Sequence, residues 1–199
     1  ITGSGRGLGL EMAKLFLQNG WAVVLNDINA QRVEEAKAEL EALSSEYRVF
    51  AFAGNAASYA DLQALAQYAV DSCGQIDIWI NNAGVNQPME PVWALTEQEI
   101  STLVDVDLKG AVLGSKVAME TMLERKQGAI YNLEGYGSND AMMLGLNMYG
   151  TTKRAVTHFT QALAKESEEK QTGILVGRLS PGIMITDFTV KALGDKEAI

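Results

Sequence analysis

The chain has 199 residues, 47% hydrophobic and 21% charged, which suits one globular domain with a sizeable core and excludes a disordered chain. Lys and Arg number 16 against 25 Asp and Glu, a formal net charge of −9 with the bases scattered, which excludes a nucleic-acid surface. A single cysteine excludes an internal disulfide and fits a reducing, cytoplasmic setting, and no apolar run reaches the roughly 18–20 residues of a membrane span.

Apolar runs and helical periods alternate along the chain. A Gly-rich segment, Thr2–Gly9, leads into a helix striped by Leu10, Ala13, Phe16 and Leu17, with Gly20 closing it. Ala22–Leu25 reads as a strand. Asn29 caps a second helix carrying Val33, Ala36, Leu40 and Leu43, and the strand Val49–Ala53 follows. Leu62, Leu65, Ala69 and Cys73 stripe a third helix that Gly74 ends, before a strand at Ile76–Ile80. Thr96 and Glu99 form a capping-box pattern opening a fourth helix. Asp105 to Arg125 reads as a long helix, Ala129–Leu133 as a strand, Tyr149 to Glu168 as another long helix, and Ile174–Arg178 as a strand. The strands are apolar without alternation, as in a sheet covered on both faces. The pattern predicts a single doubly wound parallel α/β domain of Rossmann type over residues 1–199, a three-layer sandwich. A loop like Thr2–Gly9 normally follows a complete strand, so the first strand is expected to be missing from this sequence. The chain opens on Ile1-Thr2-Gly3 without the basic and apolar regions of a signal peptide, and it is expected to be truncated at both ends.

The glycines of Thr2-Gly3-Ser4-Gly5-Arg6-Gly7-Leu8-Gly9 allow a tight turn and close approach to a pyrophosphate, which the following helix N-terminus attracts. Taken alone they also fit a purely structural turn. Asp27, 18 residues past Gly9, stands where an acid accepts hydrogen bonds from an adenosine ribose. A carboxylate there repels a 2′-phosphate and favours NAD over NADP. Arg6 either greets a 2′-phosphate or is solvated. Tyr149 and Lys153 are spaced i, i+4 on one helix face, where an ammonium lowers the pKa of a phenol. His158 is the only histidine, so no metal site is expected.

On these residues the chain resembles the short-chain dehydrogenase/reductase family. Thr2-Gly3…Gly7-x-Gly9 is similar to its cofactor loop, Asn81-Asn82-Ala83-Gly84 to its NNAG segment, Tyr149-x-x-x-Lys153 to its catalytic pair, and Pro181-Gly182…Thr186 to its nicotinamide-contacting segment. The resemblance implies that Tyr149 moves the proton at the carbonyl oxygen, while Lys153 tunes it and holds the nicotinamide ribose. It implies further cofactor contacts at Ser4, Leu8, Asn55, Ala56 and Ile183. It also implies a small-molecule substrate and a homodimer or homotetramer built on the helices near Asp105–Arg125 and Tyr149–Glu168.

Two positions depart from the family. Asp107, in Val106-Asp107-Leu108-Lys109-Gly110, stands in place of an asparagine of the proton relay. Gly135 occupies the usual place of the catalytic serine, with Ser138 three residues on. A bulged glycine loop brings that hydroxyl back to the substrate oxygen; the other reading is a plain loop serine. The segments Ile76–Asn86 and Asn132-Leu133-Glu134-Gly135-Tyr136-Gly137-Ser138 further resemble chlorophyll(ide) b reductases, which reduce a formyl group to hydroxymethyl. Met142, Met143, Leu144 and Met148 are either core or a flexible apolar wall for a bulky substrate. The expected function is hydride transfer between NAD(P) and a carbonyl or alcohol. The alternative is a cofactor-binding sensor or scaffold without turnover.

Overall fold

In the computed structural model the described residues are 1–182. Helices α1 (Gly7–Gln18), α2 (Ala30–Leu43) and α3 (Tyr59–Cys73) alternate with strands β1 (Ala22–Asp27), β2 (Arg48–Ala53) and β3 (Ile78–Asn81). After a 3₁₀ turn at Val92–Ala94 come α4 (Glu97–Leu103), a π-helical turn (Val104–Lys109) and α5 (Gly110–Met122). Strand β4 (Gly128–Leu133), α6 (Asn147–Glu169) and β5 (Ile174–Leu179) complete the order. The fourth helix and the long helix from Asp105 are therefore one continuous helical run joined by the π turn. The N-caps follow the sequence: Asn29, Ser58 and Thr96 each accept a backbone N–H of the first turn.

Among the described residues all pairings are parallel. β1 lies beside β2 with Ala22 opposite Arg48 and Asp27 opposite Ala53. β4 is central in the second group, with Ile78 opposite Ala129 and Gly128 opposite Ile174. The two groups do not pair with each other among the described residues. Between them lies only the opening segment: the Ile1 nitrogen is 3.1 Å from the Val24 carbonyl, Thr2 N–H donates to Ile80 O at 3.0 Å, and Ser4 N–H to Asn26 O at 2.8 Å. Counting that segment first gives the strand order 3-2-1-4-5-6 of a doubly wound sheet. Beyond Ile1 a groove of about 400 Å³ continues between β1 and β3, lined by Val24, Leu65, Ile78 and Ile80 among others. The expected interruption in the sheet centre is thus present.

The core forms two clusters. Ala13, Leu17, Leu25, Val33 and Leu40 join α1, α2 and the first sheet group. Leu62, Leu65, Trp79, Ala118, Met122 and Ile130 join α3, α5 and the second. A polar network crosses the second group. Trp79 Nε1 donates to Asn81 Oδ1 at 2.7 Å, and Asn81 Nδ2 donates to Asn132 Oδ1 at 2.8 Å and to Ser115 Oγ at 3.1 Å. Asn132 Nδ2 then donates to Thr160 Oγ1 at 2.9 Å, tying β3 and β4 to α5 and α6. Saturated networks of this kind fix one arrangement of a core.

Candidate active site

The strands all run the same way, so their carboxyl ends share one edge, and the loops leaving that edge carry the candidate residues. The glycine loop is built by contact. A Cβ on Gly3 would sit 2.7 Å from Ala83 Cα, one on Gly9 2.6 Å from Asn82 Nδ2, and one on Gly5 2.6 Å from Asp27 Oδ2. Thr2 Oγ1 accepts the N–H groups of Asn82 and Ala83, and Asn82 Nδ2 donates to the carbonyls of Thr2 and Gly3 at 2.9 Å. Ser4 is fully buried, its hydroxyl donating to Ile1 O and accepting from Asn26 N–H.

Gly7 has φ +56 with open space where a Cβ would point, and it begins α1. Unlike α2, α3 and α4, α1 has no side-chain cap, so its first amides are not satisfied from within. Unsatisfied amides at a helix N-terminus suit a phosphate group. With Asp27 at the tip of β1, this cradle fits a dinucleotide. Leu8 is half-buried and Arg6 exposed at the loop surface.

Asp27 is buried, and its Oδ1 accepts from Asn29 N–H at 2.9 Å and from Arg32 Nη1 at 3.0 Å. Arg32, paired with Asp27, is a candidate site residue that sequence reasoning missed; an arginine five residues past Asp27 in a helical first turn carries no motif. Asn55 forms an Asx turn, accepting Ala57 N–H, and Ala56 O lies 3.0 Å from where a Cβ of Gly110 would be. Both border the same edge. Pro181 and Gly182 follow β5 there, exposed, while Ile183 and Thr186 lie outside the described residues.

Tyr149 and Lys153 are brought together on α6, 8% and 4% exposed, with Lys153 Nζ 5.5 Å from the tyrosine ring centre. Tyr149 N–H donates to Gln87 Oε1 at 2.9 Å, and Gln87 Nε2 donates to Gly145 O at 2.6 Å. Gln87, buried in the connection after β3, thereby anchors the start of α6. The Tyr149 pKa differs from expectation. Lys153 alone would lower it, but burial pushes it upward and the Asp107 carboxylate adds to the rise. Asp107 is 2% exposed, and its Oδ1 accepts Val85 N–H at 2.7 Å. Its own carboxyl is pushed up by burial, against the pull of Lys153.

The loop after β4 turns back as the glycines suggested. Gly135 packs directly against the Tyr149 hydroxyl, leaving no room for a side chain. Ser138 Oγ donates to Gly135 O at 2.7 Å and accepts Gly135 N–H at 3.1 Å. Its hydroxyl is therefore folded onto the residue beside the phenol. Glu134, which the sequence did not single out, accepts from Thr157 Oγ1 at 2.8 Å and Arg178 Nη1 at 3.0 Å, binding β4 to α6 and β5. Met142 and Leu144 are more than nine-tenths exposed and Trp93 is 86% exposed, so none of them is core. Cys73 lies far along α3 with its thiol pushed up by burial, and His158 faces outward from α6.

A family model for short chain dehydrogenase matches residues 1–197. The chain is 32% identical over 201 residues to the chloroplastic chlorophyll(ide) b reductase NOL of Oryza sativa subsp. japonica, covering 100% of this chain and 59% of that protein. It is 32% identical over 189 residues to a diacetyl reductase of Staphylococcus epidermidis, covering 94% of this chain and 71% of that protein. The crystal structure of levodione reductase superposes with a TM-score of 0.90 at 25% identity, over 98% of this chain and 76% of that one. The chain thus spans little more than half the length of its plant relative. Together with the glycine cradle and the Tyr149–Lys153 pair, these likenesses establish that the chain belongs to the short-chain dehydrogenase family.

Proposed function

We propose that this protein interconverts a carbonyl compound and its alcohol with a nicotinamide cofactor. The observation that carries this reading is the burial of Tyr149 and Lys153 on one face of α6, at the strand edge that also holds the glycine cradle. When bound, the cofactor supplies or accepts the hydride. The protein binds, orients and moves the proton. The cradle of Gly3, Gly7, Gly9, Asn82, Ala83 and Gly84 would receive the dinucleotide, with Asp27 at the ribose favouring NAD. Tyr149 gives its hydroxyl proton to the nascent alkoxide in reduction and takes it back in oxidation. Lys153 holds its ammonium behind that hydroxyl. Ser138 reorients from Gly135 to hydrogen-bond the substrate oxygen, replacing the serine that Gly135 displaces.

The rim supports a bulky apolar carbonyl substrate. Gln87 and the contact of Gly145 with Met89 bring the connection after β3, which bears Trp93, against the loop before α6, which bears Met142 and Leu144, and all three side chains are exposed. The chlorophyll(ide) b reductase likeness points the same way, to a ring-borne formyl group; the diacetyl reductase likeness points to small diketones. Binding without turnover is the second reading, favoured by the altered Asp107 and Gly135 positions.

Tyr149→Phe separates these readings. It should abolish NADH-dependent carbonyl reduction while changing cofactor affinity less than about twofold, since it removes one hydroxyl and keeps the ring. Lys153→Met should harm both, and Ser138→Ala should cost on the order of 100-fold or more if it is a true oxygen donor. Turnover persisting in Tyr149→Phe would sink the mechanism. No turnover by the unsubstituted protein on aromatic aldehydes or diacetyl, with cofactor bound, would favour the sensor.

A further inference from the structure

The carboxylate behind Lys153 has no role in the chemistry above, yet it is among the most buried ionisable groups in the protein. Asp107 Oδ1 is satisfied by Val85 N–H, but Oδ2 has no partner. The neighbouring Thr152 hydroxyl lies close enough to favour the ionised carboxylate, but its proton is directed at the Tyr149 carbonyl at 2.8 Å. An unsatisfied buried carboxylate oxygen is costly. Its place is equally unusual: Asp107 is the buried residue of the π-helical turn between α4 and α5. Such turns are rare and concentrate at functional sites.

Two glycines map its surroundings. A Cβ on Gly84 would lie 3.4 Å from Asp107 Oδ1 and 3.5 Å from Lys153 Nζ. A Cβ on Gly135 would strike the Tyr149 hydroxyl and lie 3.2 Å from Lys153 Cε. The Lys153 side chain therefore runs past both glycines, with Asp107 near its ammonium and the phenol beside its stem. Among the described residues the ionisable groups facing Asp107 are Lys153 and Tyr149, both from α6. Asp105 and Lys109 of its own turn pair with each other at the surface. Glu97 and Glu99 lie in the capped first turn of α4, at the other end of that helix. Val85, after β3, contributes only its backbone.

We propose that Asp107 is a positioning residue: it offsets the charge of Lys153 and, together with burial, holds the proton on Tyr149, so that the site meets a carbonyl substrate with the proton in place. This rests on the reading of Tyr149 as the proton donor. An ammonium alone would draw the proton off the phenol; a carboxylate in the same dry pocket repels the phenolate that would form. The upward shift of Tyr149, caused first by burial and then by Asp107, has the sign this requires. Asparagine at this position would accept the Val85 N–H equally well but would leave Lys153 unopposed.

The test is Asp107→Asn, with Asp107→Ser as a second neutral variant should the first fold poorly. Tyrosinate absorbance is titrated with Tyr149→Phe as the blank, and kcat/KM for diacetyl reduction by NADH is followed over the same alkaline range. The neutral variants should release the Tyr149 proton at least one pH unit lower, a tenfold change in proton concentration, and lose reduction correspondingly earlier. Asp107→Glu, which restores the charge, should move the break back toward that of the unsubstituted protein. Superimposable titrations for Asp107→Asn and the unsubstituted protein would overturn the proposal. Failure of the parent reading looks different, because turnover would then survive Tyr149→Phe whatever Asp107 does.

Discussion

Asp27 shows how far one residue type carries a prediction. Its position past Gly9 predicts an adenosine-side carboxylate, and the structure places its Oδ2 against Gly5 of the loop. What spacing does not show is that Oδ1 is already paired with Arg32 at 3.0 Å. The pair softens the negative charge that a 2′-phosphate would meet. Arg32→Ala should therefore sharpen the preference for NADH over NADPH, whereas Asp27→Asn should narrow it. Arg32 is one-third exposed, so screening limits the effect to roughly 0.5–1 kcal/mol, about a two- to fivefold change in the ratio of dissociation constants. Fluorescence titration with each reduced cofactor measures that ratio. An Arg32→Ala protein that gains NADPH affinity would show that Arg6, not the Asp27–Arg32 pair, governs the choice.

Element boundaries are legible in the sequence where their signals are local. Asn29 and the Thr96–Glu99 box mark helix starts because capping depends on neighbours three residues apart. The run from Glu97 to Met122 reads in the sequence as two helices because a π turn shifts the apolar stripe by one residue, which breaks a period of 3.6. The loop from β4 to α6 is held by a contact that no period records. Gly137 has φ +94, and a Cβ there would lie 2.5 Å from Gly150 Cα. Gly137→Ala should lose about 2–4 kcal/mol from left-handed strain plus overpacking, and it should displace Ser138. Gly150→Ala, whose Cβ would meet Gly137 Cα at 3.7 Å, should be neutral or slightly stabilising. Urea unfolding of the two variants checks the contrast; equal losses would mean that the loop does not bear on α6 in this way.

At the scale of the molecule the place of a strand in the sheet matters most. β4 is hydrogen-bonded on both sides, by β3 and β5, whereas β2 pairs only with β1 among the described residues. Strands paired on one side open locally at lower free energy. Amide hydrogen exchange should therefore be slowest in Ile130–Asn132 and faster in Val49–Ala51 of β2. Equal protection in the two strands would show that the outer edge of β2 is covered in solution.

The sequence by itself determined the order of elements, the glycine cradle and the Tyr149–Lys153 pair. Each rests on short-range rules: capping, helical spacing, and the freedom of glycine at a tight turn. The tertiary structure alone decided how Gln87 anchors α6, how Arg32 softens Asp27, and how Glu134 joins three elements. Those contacts join residues whose identities carry no local signature. It also decided the state of the Tyr149 phenol. An i, i+4 lysine suggests a lowered pKa, but burial and a carboxylate 42 positions earlier in the chain reverse the sign. Electrostatics in a dry pocket depends on everything that packs around it, and only the folded chain brings Asp107, Lys153 and Tyr149 into one low-dielectric space.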